Sequence, residues 1–82
     1  MNRVVQVVPR ADHHVEVTFA DGLKAVIDFR RFLDKGIAAE LLATEQFALV
    51  MVEDGGGISW PNGFDVCPEF LRELAEKRQA AA

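Results

Sequence analysis

A single cysteine, Cys67, excludes an internal disulfide and leaves no cysteine pair to hold zinc. Basic residues are also scarce. Nine Lys and Arg stand against thirteen Asp and Glu, for a net charge of −4, which argues against the electrostatic footprint of a nucleic-acid binder. No direct nucleic-acid binding is therefore expected of the isolated chain. The same balance fits a protein that stays in solution, or one half of a complex with a basic partner. No apolar run approaches the roughly 20 residues that span a bilayer, so no membrane association is expected. The opening Met1 to Gln6 is too short and too polar to read as a signal peptide, and a cytoplasmic location is expected. With 82 residues there is no room for a second domain: residues 1–82 form one unit, with 79–82 as a frayed tail.

What the chain does have is one stretch dense in structural signals, Ile58-Ser59-Trp60-Pro61-Asn62-Gly63-Phe64-Asp65-Val66-Cys67-Pro68. Trp60, the only tryptophan, offers the largest apolar side chain around which a small core can assemble. Pro61 has no N–H to donate, so a strand containing Trp60 stops there or lies at a sheet edge. Asn62-Gly63 tolerates positive φ and reverses the chain.

The rest reads in order around that stretch. Arg3 to Val8 is β-branched and ends at Pro9, with a turn over Pro9 to Asp12. His13 to Phe19 alternates, with Val15, Val17 and Phe19 on one face and His14, Glu16 and Thr18 on the other. A two-residue Asp21-Gly22 loop would oppose Val15 to Asp28. A three-residue Ala20-Asp21-Gly22 loop, with Gly22 left-handed, pairs Phe19 with Leu23, Val17 with Ala25 and Val15 with Ile27. Only the second keeps every inward position apolar, although it turns Val26 outward.

Asp28 is placed to cap a helical turn over Phe29 to Lys35, closed by Gly36. Ile37 to Ala43 is helix-compatible, with Ile37, Leu41 and Leu42 as its apolar stripe, and Thr44 caps a further turn through Phe47. Ala48 to Glu53 reads as a fourth strand, Asp54-Gly55-Gly56-Gly57 as a loop and Ile58 to Trp60 as a fifth strand. A helix begins at Pro68, with Phe70, Leu71, Leu74 and Ala75 recurring at helical spacing to about Arg78. The expected fold is α+β: a mainly antiparallel sheet of about five short strands, in the order β-β-β-α-β-β-α, with helices packed on one face.

Across nearly its whole length the chain resembles a small bacterial family, domain of unknown function 2442. The resemblance is carried by Val17-Thr18-Phe19-Ala20-Asp21-Gly22, Asp28, Phe32-Leu33, Gly36 and Phe47. Most of all it is carried by Ile58 to Asp65, followed by Pro68-Glu69 and Leu71. The triple glycine and Cys67 depart from the usual pattern, without altering the fold the resemblance implies. It assigns no activity. It does imply a small partner encoded nearby, as in toxin–antitoxin-like pairs, and some similar proteins carry a helix-turn-helix segment that this chain does not reach.

Candidate chemistry is sparse. His13 and His14 are adjacent on a strand, so they point to opposite faces and cannot readily share a metal ion. Asp54 to Gly57 has a phosphate loop's glycines but neither its lysine nor a following helix. Cys67, just before a helix, lacks a histidine base and reads as a cap or small packing residue. Asp65 and Glu69 are the one carboxylate pair that the turn and helix bring together. The helix dipole accounts for both, with Asp65 expected to bond backbone groups around Asn62-Gly63 or the helix start. Arg30, Arg31 and Lys35 form a small basic patch, most simply a solvated face.

No catalytic, cofactor or metal residues are therefore assigned. The residues singled out as interaction or structural-motif positions are Trp60, Pro61, Asn62, Gly63, Asp65, Asp21 and Gly22. The expected function is a non-enzymatic protein-binding or adaptor domain; the alternative is an antitoxin-like or regulatory protein acting with a small neighbour. An enzyme would require a pocket near Trp60, Asp65 and Cys67 to gather a histidine. The partner is another protein or a second copy, since Val4 to Val8 reads as a strand with apolar residues on both faces.

Overall fold

The computed structural model describes residues 3–81, with side chains as far as Lys77. The α+β class holds, but the strands form two three-stranded antiparallel sheets in place of one sheet of about five. The first contains β1 (Val4–Arg10), β2 (His14–Phe19) and β3 (Lys24–Asp28) in sequence order; the second contains β4 (Met51–Val52), β5 (Ile58–Ser59) and β6 (Asp65–Val66). Strand β6 was hidden because it is only two residues long and sits between the Asn62-Gly63 reversal and a helix. Pairings so short give almost no alternation to read.

The first sheet carries the core's main face. Val15 pairs with Ile27 and Val17 with Ala25, and the Phe19 N–H donates to the Leu23 carbonyl at 2.8 Å. This is the three-residue loop, with Gly22 at φ +96°. Val15, Val17, Phe19, Ala25 and Ile27 are all buried, while Val26 faces outward at 36% exposure. On the outer face Glu16 pairs with Arg10 and, across β3, with Lys24.

Strand β1 differs from its expected form in two respects. It continues through Pro9 to Arg10, because an edge strand needs no ladder donor from every residue. The reversal then falls on Ala11–His13, where Asp12 and His13 both take positive φ (59° and 61°). There is also a bulge between Val4, opposite Phe19, and Gln6, opposite Thr18. The extra residue shifts the alternation, so Val4 and Val7 both turn inward and Val5 is left 54% exposed. The strand is therefore less two-faced than its valines suggest.

The middle of the chain is broken helix: 3-10 turns at Arg30–Phe32 and Gly36–Leu42, then the single-turn α1 (Thr44–Phe47). The Asp28 carboxylate accepts the Arg30 N–H at 2.9 Å, as a capping residue would. Gly36, at φ +66°, opens the second turn instead of closing the first. With three residues per turn, Ala38 and Leu41 share the buried side, and Ile37 and Leu42 are each 47% exposed. The expected stripe assumed α-helical spacing. Thr44 lies inside α1, whose first free donors go to the Ala43 carbonyl. Finally α2 (Pro68–Ala81) starts at Pro68 and lays Leu71, Leu74 and Ala75 against the inner face of the first sheet.

Candidate functional site

Trp60 is 2% exposed and stands among Phe29, Phe47 and Phe64, with ring centroids 5.5–5.8 Å away. Its indole N–H donates to the Phe47 carbonyl at 2.8 Å, so the buried ring leaves no polar atom unsatisfied. The backbone turns directly after it. Pro61 supplies the fixed φ of a first turn position, and the Gly63 N–H returns to the Trp60 carbonyl at 3.0 Å. Gly63 then takes φ +100°, and the Trp60 N–H reaches the Phe64 carbonyl at 2.9 Å. Asn62 fastens this loop in two directions. Its Oδ1 accepts the Phe64 N–H at 3.1 Å, and its Nδ2 donates to the Ile37 carbonyl at 2.9 Å and Glu40 Oε1 at 3.0 Å.

Ala20-Asp21-Gly22 repeats the same backbone, with Asp21 Oδ1 accepting the Leu23 N–H at 3.2 Å. Asp21 is fastened by charge. Arg72 of α2 grips it with two parallel bonds of 3.0 and 2.9 Å, donates also to Glu76 at 2.9 Å, and lies 5.0 Å over the Phe19 ring. The Arg72 guanidinium and the Leu23 N–H hold the Asp21 carboxyl down to a pKa of about 2, and Arg72 is raised in turn. Asp21-Gly22 and the Trp60 turn are thus tied to different elements.

The glycine stretch is a third copy of this loop. The Gly56 N–H bonds the Glu53 carbonyl, the Glu53 N–H bonds the Gly57 carbonyl (both 2.9 Å), and Gly56 has φ +96°. The Val4 N–H donates to the Gly56 carbonyl at 2.8 Å, joining the start of β1 to this loop. At Gly57 a Cβ would lie 2.3 Å from the Val66 carbonyl oxygen, so a side chain cannot fit where β6 crosses. These glycines serve close backbone packing.

The remaining motif residue departs from its expected role. Asp65 lies on β6 opposite Ser59 and is exposed, and among the described residues its carboxylate has no partner. Asn62 makes the turn contact that had been expected of Asp65. Instead Asp65 borders an open groove of about 240 Å³, with Phe32, Phe64, Phe70 and the exposed Cys67. No histidine lines this groove. The His13 ring nitrogen Nε2 is 2.9 Å from the Leu42 carbonyl, its ring edge-on to Phe47, and His14 Nδ1 is 3.1 Å from the Ala11 and Asp12 carbonyls. Among the described residues no three His, Cys, Asp or Glu side chains gather as metal ligands would. No helix among them is long and apolar enough to cross a membrane.

Sequence reasoning missed the groove's Phe32 and Phe70 and the Arg72 clamp. The signal for Phe70 was available: Leu71, Leu74 and Ala75 complete an apolar arc, which leaves Phe70 on its shoulder, 38% exposed.

The fold and the groove define a small α+β domain of two antiparallel sheets stitched by repeated hairpin loops. The chain belongs to the family described as protein of unknown function (DUF2442), whose model matches residues 4–77. Neither a curated protein nor a solved structure gives a significant match.

Proposed function

We propose that the chain is a non-enzymatic protein-binding or adaptor domain. The observation that supports this most directly is the groove beside the Trp60 turn. Three phenylalanines stay partly open to solvent there, beside a carboxylate that takes no part in holding the fold. Apolar concave surface of this kind is uncommon unless something covers it. Affinity purification of the tagged full chain from its native host tests the reading. A stoichiometric protein should accompany it, and elution of the single chain alone, at its own mass in light scattering, overturns the reading.

The acidic balance of the chain favours a basic companion, and on that observation the antitoxin-like alternative is kept. It requires the companion to be a small protein encoded next to this one. A narrower form is self-association. Val5 is exposed at the bulge of edge strand β1, beside β4, where Met51 is 47% exposed. Val4 is core, so Val5→Lys is the substitution that should lower a dimer mass to one chain without unfolding it.

A further inference from the structure

In the Trp-Pro-Asn-Gly-Phe-Asp run only the Asp65 side chain makes no contact that holds the fold, and Phe64 packs on Trp60 without being covered. Trp60 fills the core, Pro61 and Gly63 shape the turn, and Asn62 closes it. Phe64 is left half-buried, and Asp65 has no partner among the described residues. These two end on the same groove, opposite Phe32 and Phe70, whose rings meet edge-to-face at 5.6 Å.

We propose that this groove receives one apolar side chain from a partner protein, and that a Lys or Arg next to that anchor in the partner pairs with Asp65. The inference rests on the protein-binding function proposed above and names the partner's chemistry. Size argues for a side chain over a free ligand, since about 240 Å³ falls below the roughly 300 Å³ at which small-molecule sites begin. Interface anchors commonly fill aromatic-walled pockets of this kind.

Charge orients the occupant. Among the described residues Asp65 is the one charged side chain that lines the groove, and Glu69 and Glu73, both exposed on α2, lie within one helical turn of Phe70. Arg31 sits over the Phe32 ring, 4.9 Å from its centroid, but does not line the groove. The charge of the lining therefore calls for a basic neighbour to the anchor, placed at Asp65.

A random peptide library displayed on phage, selected against the immobilised full chain, provides the probe. The expected result is enrichment of sequences with a large apolar residue beside Lys or Arg. For synthetic versions of those peptides, Phe70→Ser should weaken binding about tenfold or more, as loss of an anchor pocket does. Asp65→Lys should weaken it about two- to fivefold, in line with a rim ion pair, and shift a repeated selection toward acidic neighbours. Alkylating Cys67 on the folded wild-type chain should block the same peptides, which keeps the test decisive if Phe70→Ser fails to fold. Peptides that bind the alkylated protein and both variants undiminished would overturn the groove while leaving protein binding in place. Enrichment of sequences without the apolar–basic pair would overturn the partner chemistry. A library that yields no binder would overturn the groove together with the function on which it rests.

Discussion

The loops Ala20-Asp21-Gly22 and Pro61-Asn62-Gly63 follow one backbone path. Each has the same pair of backbone bonds, a glycine near φ +100°, and an Asp or Asn accepting the N–H two residues on. They differ in how they are fastened to the rest of the molecule. The second is held by hydrogen bonds from the uncharged Asn62 side chain and by the Trp60 ring beneath it; the first is held by the Asp21–Arg72 ion pair. One backbone design is thus secured once by burial and once by charge. The two devices should respond differently to mutation, pH and salt.

The largest break is at Trp60. Trp60→Ala removes a fully packed ring and the bond to the Phe47 carbonyl, and should cost about 3–5 kcal/mol, a large share of the stability of a domain this small. A denaturant titration that leaves the midpoint near wild type would show that the core does not depend on this ring. Gly57→Ala comes next, at about 3 kcal/mol, because the added Cβ meets the backbone oxygen of Val66, which cannot swing aside as a side chain would. Gly55→Ala in the same loop, with open space around its Cβ, is the control and should be far milder.

How much of this was legible follows from the same residues. The register of β2 and β3 could be read because Val15, Val17, Phe19, Ala25 and Ile27 alternate over many positions, so a slip would have placed a charge inward. Trp60 and the Asn62-Gly63 reversal could be read because side-chain size and positive φ are local properties. In the second sheet β4 and β5 fall inside the strands expected at Ala48 to Glu53 and Ile58 to Trp60, but β6 and the separation from the first sheet could not be read, since β6 is two residues long and its pairing depends on Gly57 admitting Val66. The bulge at Val5 was equally silent: it depends on a register set by the partner strand. The groove arises where Phe32, Phe64 and Phe70 meet from three separate elements. Each had a plausible place in the core when read alone.

The shared backbone is itself testable. Gly22→Ala and Gly63→Ala place the same strain on left-handed positions where neither Cβ meets a close neighbour, so each should cost about 1–2 kcal/mol. Unequal costs would show that the fastening, and not the turn, sets the price of each loop. Asn62→Ala should cost about 1 kcal/mol, since a net hydrogen bond contributes on that scale and the freed groups are near solvent. Its bonds to the Ile37 carbonyl and the Phe64 N–H engage no titrating group, so that part of its effect should not change with acidity.

Asp21 should behave otherwise. Its carboxyl has an ordinary value of 3.8 and is held to about 2 in the folded chain by Arg72 and the Leu23 N–H. A group whose folded pKa is depressed contributes stability that is complete above its unfolded value and is lost as pH falls through its folded one. Asp21 is exposed and Arg72 half-buried, so the contribution is small and screened by salt. Wild type and Asp21→Asn should therefore differ in urea midpoint at about pH 6, converge as pH falls from about 4 to about 2, and converge also at neutral pH in about 1 M salt. The offset between wild type and Asn62→Ala should persist in large part through both series, since two of its three bonds are to backbone groups. An Asp21→Asn offset that persists through both series would show that the charge pair with Arg72 does not account for it, since Asn at this position keeps the acceptor for the Leu23 N–H.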